Sequence, residues 1–433
     1  MKIFNKYYNQ ISGYIFITPA VVLISLFGIF PVFFGFYMSF HKWKVFKGRF
    51  LGFENYNRIL GDIGSFWFFI FGLLLLIFSY WLWSEFRNKF KSKFLLFCFV
   101  ISTTILSIFI INTSWSKMHE LGDDDLDGDP TTLKLQEIAS NLTGKEDSLL
   151  VSSGSMGNLV CALSQVKPNE TMIIGAKSHM AWSTEQGNGH PTYGQINLDF
   201  LNETNGLFDL NEINQSINSK SNQVKLICIE NTHNSDNGIP ISTEYIENLS
   251  SICNQNNINL HIDGARIFNA ASALNISVDK LVDKAQSVSF CLSKGLACPV
   301  GSIIAGNKEF IHEARKQRKI IGGVMRQTGI ISAAGIVALK TMPDRMIEDH
   351  ITAKHLANGL AQIKGININP ENVHTNIVFF TSQKMDIDEL QQKLDLNGIK
   401  CFNLNGRIRM VTHYEISLKD IDKTLNIISN IMN

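Results

Sequence analysis

Three long apolar runs without a charged residue lie within the first 111 residues of the 433-residue chain. They cover residues 15–40, 66–83 and 94–111. About 18 to 20 apolar residues suffice to cross the hydrocarbon core of a bilayer, and tryptophans flank the runs as in an interfacial aromatic belt. The pattern predicts three transmembrane helices and a multi-pass membrane segment in contact with lipid over residues 15–111. Buried core helices are the alternative.

The composition changes after residue 117. Phe and Trp crowd the first part, whereas Asn, Asp, Ile and Ser dominate the remainder. The net charge of +1 and the absence of a basic stripe argue against a nucleic-acid partner. The seven cysteines are scattered, form no CxxC motif and make no Cys/His cluster with zinc spacing. We therefore expect free thiols in a reducing compartment and no metal site.

The remainder of the chain alternates between helical and β-rich patterns. Such alternation predicts an α/β domain with a mostly parallel sheet and helices on both faces. Ligands of such sheets bind at the carboxyl ends of the strands. The predicted helices are 131–142 and 242–256, and the predicted strands include 224–230, 258–263, 287–293, 375–382 and 407–413.

The motif "SSGSMGNLVCAL" places small residues at the start of an apolar helix. Backbone N–H groups at a helix start bind anions, so Gly154 and Ser155 can hold a phosphate. An ordinary Ser/Gly helix cap is the alternative.

Two further motifs place charged side chains after apolar strands. In "LHIDGARIFNA", Asp263 can pair with a protonated pyridine nitrogen, and Arg266 can bind a substrate carboxylate. A structural Asp–Arg pair is the alternative. In "SVSFCLSKGLACPVGS", Lys294 can bond covalently to an aldehyde cofactor, which relieves the cost of burying its charge. An exposed loop lysine is the alternative.

The order of phosphate site, strand-end aspartate and strand-end lysine is that of fold type I pyridoxal-phosphate enzymes. Residues 118–433 resemble one family of them, the low-specificity L-threonine aldolases. The resemblance implies pyridoxal 5'-phosphate as cofactor and a dimer or tetramer. It also implies a large domain over 118–345 and a small α/β domain over 346–433. It is carried by the motifs "SSGSMGN", "IENTHN", "LHIDGARIFNA", "SVSFCLSKGLACPVGS", "GGVMRQTGI" and "RIRMVTHYEIS".

The resemblance assigns cofactor contacts to five residues. Lys294 corresponds to the lysine bonded to the cofactor, and Asp263 to the aspartate at the pyridine nitrogen. Gly154 and Ser155 correspond to the phosphate site. His179, in "SHMAWSTEQGN", corresponds to the histidine stacked on the cofactor ring; a loop histidine is the alternative.

Four more residues are assigned to the substrate side or the subunit interface. Arg266 and Arg409 correspond to arginines that bind the substrate carboxylate. Glu185 corresponds to an active-site glutamate, although its spacing from His179 is one residue longer than usual. Arg326 lies in a motif near a subunit interface.

The implied reaction is cleavage of a small β-hydroxy amino acid, L-threonine or L-allo-threonine, to glycine and acetaldehyde. His179, Glu185 or a water would take the β-hydroxyl proton. Another fold type I enzyme, such as a β-eliminating lyase, is the alternative.

The chain departs from the family at its start. The family's short Ser-Asp-Thr arm, whose serine helps to hold the substrate carboxylate, is replaced here by the third apolar run and "NTSWSKMHEL". After Gly-Asp-Asp the family has an aromatic residue, where this chain offers Leu126 or Asp127. We expect both changes to impair substrate binding.

The first part of the chain resembles a second family. Residues 13–60 are similar to the start of a sugar-type permease subunit of ABC importers, which makes a truncated transport component the rival function. Positive charges number six on each side of the three predicted spans, so they do not set the topology. The sequence therefore indicates a fusion, with a membrane segment over 1–117 and an aldolase domain expected to need the cytoplasm for its cofactor.

Overall fold

The computed structural model of the chain describes residues 41–43, 47–50, 63–86, 100–108, 110, 124, 128–186, 194–220 and 222–433. Two compact units divide the chain, an N-terminal unit of Met1–Glu120 and a C-terminal unit of Leu121–Asn433. The predicted segments 1–117, 118–345 and 346–433 stay predictions.

A long apolar helix is the main element in the described part of the N-terminal unit. Strands β1 (His41–Trp43) and β2 (Lys47–Phe50) pair antiparallel, and helix α1 spans Ile63–Phe86. Residues 100–108 are also helical. The Ser79 hydroxyl on α1 donates to the Thr103 hydroxyl at 2.8 Å, so the two helices contact each other.

The three predicted membrane spans are covered unequally. The second lies within α1, the first lies outside the described residues, and the third is described only at 100–108 and 110. Within the described ranges, Trp67–Glu85 alone is long and apolar enough to cross a membrane, and only 11% of it is buried. The multi-pass segment therefore stays a prediction, as does the permease resemblance over residues 13–60.

A seven-stranded sheet forms the centre of the C-terminal unit. The strand order is β3-β9-β8-β7-β6-β4-β5, and β9 alone runs antiparallel to its neighbours. The α/β fold with a mostly parallel sheet is thereby confirmed. The strands are β3 (Asp147–Val151), β4 (Thr171–Gly175), β5 (Asn197–Leu201), β6 (Val224–Glu230), β7 (Asn259–Asp263), β8 (Ser287–Cys291) and β9 (Ser302–Gly306).

Apolar strand residues account for this sheet. Leu149, Ile173, Leu226, Leu260 and Val288 are fully buried because helices cover both faces of the parallel strands. The helices are α2 (Pro130–Thr143), α3 (Gly154–Gln165), α4 (His179–Gln186), α5 (Leu210–Ser219), α6 (Thr243–Gln255), α7 (Ile267–Leu274), α8 (Val278–Val282), α9 (Lys308–Ile320), α10 (Gly329–Thr341) and α11 (Met346–Leu360).

Local signals set the ends of α2. Asp129 caps the helix by accepting from the Thr132 N–H at 2.9 Å, and Pro130 occupies the first turn, where it has no hydrogen bond to lose. Gly144 ends the helix in the left-handed conformation at φ 65°. The helix predicted over 131–142 therefore lies within the observed one.

A second, antiparallel sheet follows in the order β10-β11-β13-β12. Its own core contains Leu356, Phe380, Leu390, Ile408 and Ile428. The elements are β10 (Ile366–Asn367), β11 (Ile377–Ser382), β12 (Phe402–Leu404) and β13 (Arg407–Val411), with helices α12 (Ile387–Leu396) and α13 (Leu418–Met432) and two 3-10 turns, Pro343–Arg345 and Pro370–Asn372.

Strand β8 is shorter than the predicted strand 287–293. Pairing stops at Cys291 because the backbone of Leu292 closes a loop instead: its N–H donates to Gly301 O, and its carbonyl accepts from Cys298 N–H. Lys294 therefore stands inside this loop, three residues beyond the last strand residue.

The six described cysteines are all free thiols.

Candidate active site

The carboxyl ends of the parallel strands bring most predicted site residues to one edge of the sheet. Gly154 follows β3, His179 follows β4, Asp263 ends β7 and Lys294 follows β8. This edge is where ligands of parallel α/β sheets bind.

Asp263 is buried and held by two hydrogen bonds. Its Oδ2 accepts from Asn158 Nδ2 at 2.7 Å, and its Oδ1 accepts from the Ala265 N–H at 3.3 Å. Ser289 donates its hydroxyl to Asn158 Oδ1 at 3.1 Å, which fixes the amide with its NH₂ group toward Asp263. No Lys, Arg or His in the described ranges forms an ion pair with Asp263. The buried carboxylate therefore suits a cationic ligand atom such as a protonated ring nitrogen.

The start of α3 lies against the sheet. Ser153 caps the helix by accepting from the Met156 N–H, and the N–H groups of Gly154 and Ser155 have no acceptor within the helix. A Cβ atom on Gly154 would lie 2.7 Å from Cys291 Sγ, so this close approach requires glycine. The Ser302 hydroxyl is buried nearby without a hydrogen-bond partner in the described structure. The surroundings fit an anion such as a phosphate.

Lys294 lines a cavity of about 330 Å³. Arg266 and Cys298 line the same cavity from the loops after β7 and β8, and Asn376 and His413 line it from residues flanking β11 and β13. No acceptor in the described residues takes a hydrogen bond from the Lys294 ammonium. The lysine is therefore available to a ligand in this cavity.

Two arginines form the cationic part of the site. Arg409, in the middle of β13, donates from Nη2 to Asn234 Oδ1 at 2.6 Å. Burial, and to a lesser extent the charge of Arg266, lower the pKa of Arg409 to about 10. Burial likewise lowers the pKa of Arg266. Neither forms an ion pair with a described carboxylate, and the Nε of each lacks a hydrogen-bond partner there. Both guanidiniums can therefore bind a substrate carboxylate.

The remaining predicted residues are placed less completely. His179 is half-buried at the start of α4. Its backbone N–H donates to Glu230 Oε2 at 2.8 Å, and its ring centroid lies 6.4 Å from that of Trp182. Glu185 lies in α4, but its side chain is outside the described part. Arg326 is exposed just before α10. The predicted role of Glu185 therefore stays a prediction, and so does the place of Arg326 near a subunit interface.

The structure adds four residues that the sequence analysis missed, and two had a signal. Glu230 ends the β-rich run "VKLICIE" just as Asp263 ends "INLHID", and Asn158 lies one turn after Gly154 on an apolar helix. Ser289 and Asn234 act through partners far along the chain, so no local pattern marks them.

Comparison with known proteins decides the family. The beta-eliminating lyase family matches residues 114–383. Low-specificity L-threonine aldolase 1 of Arabidopsis thaliana is 40% identical over 319 residues, which cover 71% of this chain and 88% of the relative. The chain belongs to the low-specificity L-threonine aldolase family. The low specificity L-threonine aldolase of Escherichia coli K12 is 33% identical over 305 residues, or 70% of this chain and 89% of the relative.

A solved structure shows the same fold. Threonine aldolase of Leishmania major superposes with a TM-score of 0.61 at 18% identity, covering 72% of this chain and 94% of that one. The aldolase family is pyridoxal-phosphate-dependent, so the chain is a pyridoxal-phosphate-dependent lyase, and the predicted enzyme class and cofactor are confirmed. The buried Asp263, the start of α3 and the available Lys294 all fit this cofactor.

Proposed function

We propose that the chain cleaves L-threonine and L-allo-threonine to glycine and acetaldehyde. The observation that carries the proposal is the cavity in which Lys294 and Arg266 meet, beside Arg409, on a chain 40% identical to a low-specificity L-threonine aldolase. The lysine for covalent attachment of the cofactor, the arginines for the substrate carboxylate and the aspartate for the cofactor's ring nitrogen would then all lie at this site.

Five residues would bind the cofactor. Lys294 would hold its aldehyde carbon through Nζ, and Asp263 would keep its ring nitrogen protonated. The N–H groups of Gly154 and Ser155 would bind its phosphate, and the His179 ring would cover one ring face. When bound, pyridoxal phosphate supplies an electron sink for the electrons released at Cα.

The substrate would be held by its carboxylate. Arg266 and Arg409 provide buried donors without a competing carboxylate in the described residues, so they would fix the amino acid with its β-hydroxyl toward the base. His179, Glu185 or a water would remove the hydroxyl proton as the Cα–Cβ bond breaks. Because the Ser-Asp-Thr arm is replaced, we expect a raised KM for threonine.

A second candidate is a different lyase of the same fold, such as a β-eliminating lyase. The match of residues 114–383 to the beta-eliminating lyase family favours this alternative. The rival of a truncated ABC permease rests on residues 13–60 alone.

The test is product analysis with the full-length chain, purified in mild detergent with pyridoxal phosphate. We expect equal amounts of glycine and acetaldehyde from L-threonine and L-allo-threonine, and neither from a Lys294→Ala variant. Pyruvate and ammonia from L-serine, without acetaldehyde from threonine, would establish the eliminating lyase instead. No product from any of the three amino acids would contradict both proposals.

Two proposals concern the surroundings of the enzyme. Ile330 and Val337 lie one heptad apart on α10 and are 73% and 51% exposed, and Arg326 precedes this helix. We infer that the face of α10 that exposes Ile330 and Val337 joins copies of the chain in a homo-oligomer. We also propose that α1, in which Trp67–Glu85 is long and apolar enough to cross a membrane, anchors the chain to a membrane. The aldolase domain would then lie in the cytoplasm, where its cofactor is supplied.

A further inference from the structure

Glu230 is a buried carboxylate at the carboxyl end of β6, where its partner in the β-ladder is Asp263. Both of its oxygens accept backbone N–H groups. Oε2 accepts from His179 at 2.8 Å, and Oε1 accepts from Asn234 at 3.2 Å. A buried charge is tolerated only with such partners, so the two N–H groups and the carboxylate fix one another.

The two N–H groups belong to opposite sides of the site. His179 carries the ring proposed to lie on the cofactor. Asn234 uses its side chain to accept from Arg409 Nη2 at 2.6 Å, and Arg409 is proposed to bind the substrate carboxylate. One carboxylate thus holds the backbone of the cofactor-side residue and the backbone of the substrate-side residue.

The charge of Glu230 acts on the same groups. It opposes the effect of burial on the pKa of both Arg266 and Arg409. No ion pair with a described carboxylate neutralises either arginine, so the nearby negative charge of Glu230 partly offsets the effect of burial on the pKa of both.

We propose that Glu230 is a positioning residue that couples the cofactor site to the substrate-carboxylate site through His179 and Asn234. The inference rests on the proposed function for the roles of His179 and Arg409. It predicts that removing the Glu230 charge weakens both sites together, whereas removing the Asn234 side chain weakens the substrate side alone.

The experiment compares Glu230→Gln with Asn234→Ala in the full-length chain. A glutamine can accept one of the two N–H groups, but its NH₂ group would face the other. Hydrogen bonds to charged groups contribute about 1.5–3 kcal/mol, so we expect Glu230→Gln to raise the Kd of pyridoxal phosphate and the Kd of glycine each about ten- to a hundredfold. Spectroscopic titration of the chain with cofactor, and of the holoenzyme with glycine, measures both.

Asn234→Ala keeps the backbone N–H and loses only the acceptor for Arg409. We expect a glycine Kd raised about tenfold with an unchanged cofactor Kd. Asn234→Asp keeps an acceptor oxygen but adds a carboxylate that competes for Arg409, so it should not restore glycine binding. If Glu230→Gln does not fold, Glu230→Asp carries the same expectation, because the shorter side chain cannot reach both N–H groups.

Glu203→Gln is the matched control. Glu203 is as buried as Glu230 and accepts from the Lys177 N–H, but its other oxygen contacts His233 instead of a site residue. We expect Glu203→Gln to lower the Tm and to leave the Kd of pyridoxal phosphate and the Kd of glycine unchanged. If Glu230→Gln behaves like this control, the positioning role is wrong.

Cofactor and glycine binding are measured without turnover. A wild-type chain that binds both but cleaves no threonine would contradict the proposed function, and the Glu230 comparison would still decide the positioning role.

Discussion

The two sheets of the C-terminal unit supply the site in different ways. The parallel sheet contributes side chains at or just after the carboxyl ends of its strands, such as Asp263 and Lys294, whereas the antiparallel sheet contributes Arg409 from the middle of β13. In a parallel sheet every strand interior is buried, so polar groups collect at the strand ends. In an antiparallel sheet one face remains available, and a strand residue can reach a ligand directly.

This difference predicts separable effects. Substitution of Asp263 or of its hydrogen-bond partners at the parallel sheet's carboxyl edge should affect cofactor binding and chemistry, whereas substitution of Arg409 on β13 should affect substrate binding. Three predictions test the difference, from the largest expected effect to the smallest, and a fourth tests stability against pH.

Asp263→Asn should have the largest effect among them. It removes the charge that would keep the ring nitrogen protonated, and breaking a buried ion pair costs about 3–5 kcal/mol. We expect kcat for threonine to fall about 10²- to 10⁴-fold with the glycine Kd changed less than threefold. An unchanged kcat would show that Asp263 takes no part in the reaction and would contradict the role given to the parallel sheet.

Arg409→Met should raise the KM for threonine about ten- to a hundredfold, the effect of one charged hydrogen bond to the carboxylate. The cofactor Kd should not change. Arg407→Met is the matched control: Arg407 lies two residues away on β13, donates to Ser235 O and stacks on Phe379 at 4.2 Å. It should lower the Tm and leave KM unaltered. Equal effects on KM would show that β13 acts only through its stability.

Asn158→Ala should weaken cofactor binding about tenfold, the effect of one hydrogen bond to a charged group. It removes the donor at Asp263 Oδ2. Ser289→Ala removes only the group that orients Asn158, so we expect a smaller increase in the cofactor Kd, about two- to fivefold. Fluorescence titration with pyridoxal phosphate gives both values, and the reverse order would contradict the proposed Ser289–Asn158–Asp263 chain.

The last prediction concerns stability against pH. Burial lowers the pKa of His350 to about 4, below the usual value of about 6.5. The neutral ring is therefore favoured in the fold, and its contribution is complete above pH 6.5 and lost as the pH falls toward 4. At pH 5 the loss is about 2 kcal/mol. Urea unfolding at pH 7.5 and 5 should show this loss in the wild type and a smaller one in His350→Gln. An equal loss of stability in the wild type and in His350→Gln would show that His350 is not the group responsible.

The carboxyl edge of the parallel sheet was predictable from the sequence for a physical reason. A charged residue at or after the end of an apolar strand stands at the edge of a buried sheet, so position made Asp263 and Lys294 candidates. The order of the motifs and the family resemblance then assigned their roles. The same rule applies to Glu230, whose role was nevertheless missed because its contacts are with the backbone N–H groups of His179 and Asn234, which side-chain patterns do not reveal.

The antiparallel sheet was less predictable. Arg409 could be assigned only through the family resemblance, because its contact with Asn234 joins residues 175 positions apart. The end of β8 was also misplaced, since the pairing of Leu292 with Gly301 depends on the return of the chain into β9. Long-range pairing of this kind has no counterpart in local periodicity.

The most direct test of the central claim is the visible absorption spectrum of the full-length chain with pyridoxal phosphate. It is recorded beside Lys294→Ala, before and after addition of glycine. We predict an absorption band that depends on Lys294 and shifts when glycine is added, because cofactor and amino acid would meet at this lysine. A wild-type spectrum identical to that of Lys294→Ala, with no response to glycine, would contradict the account.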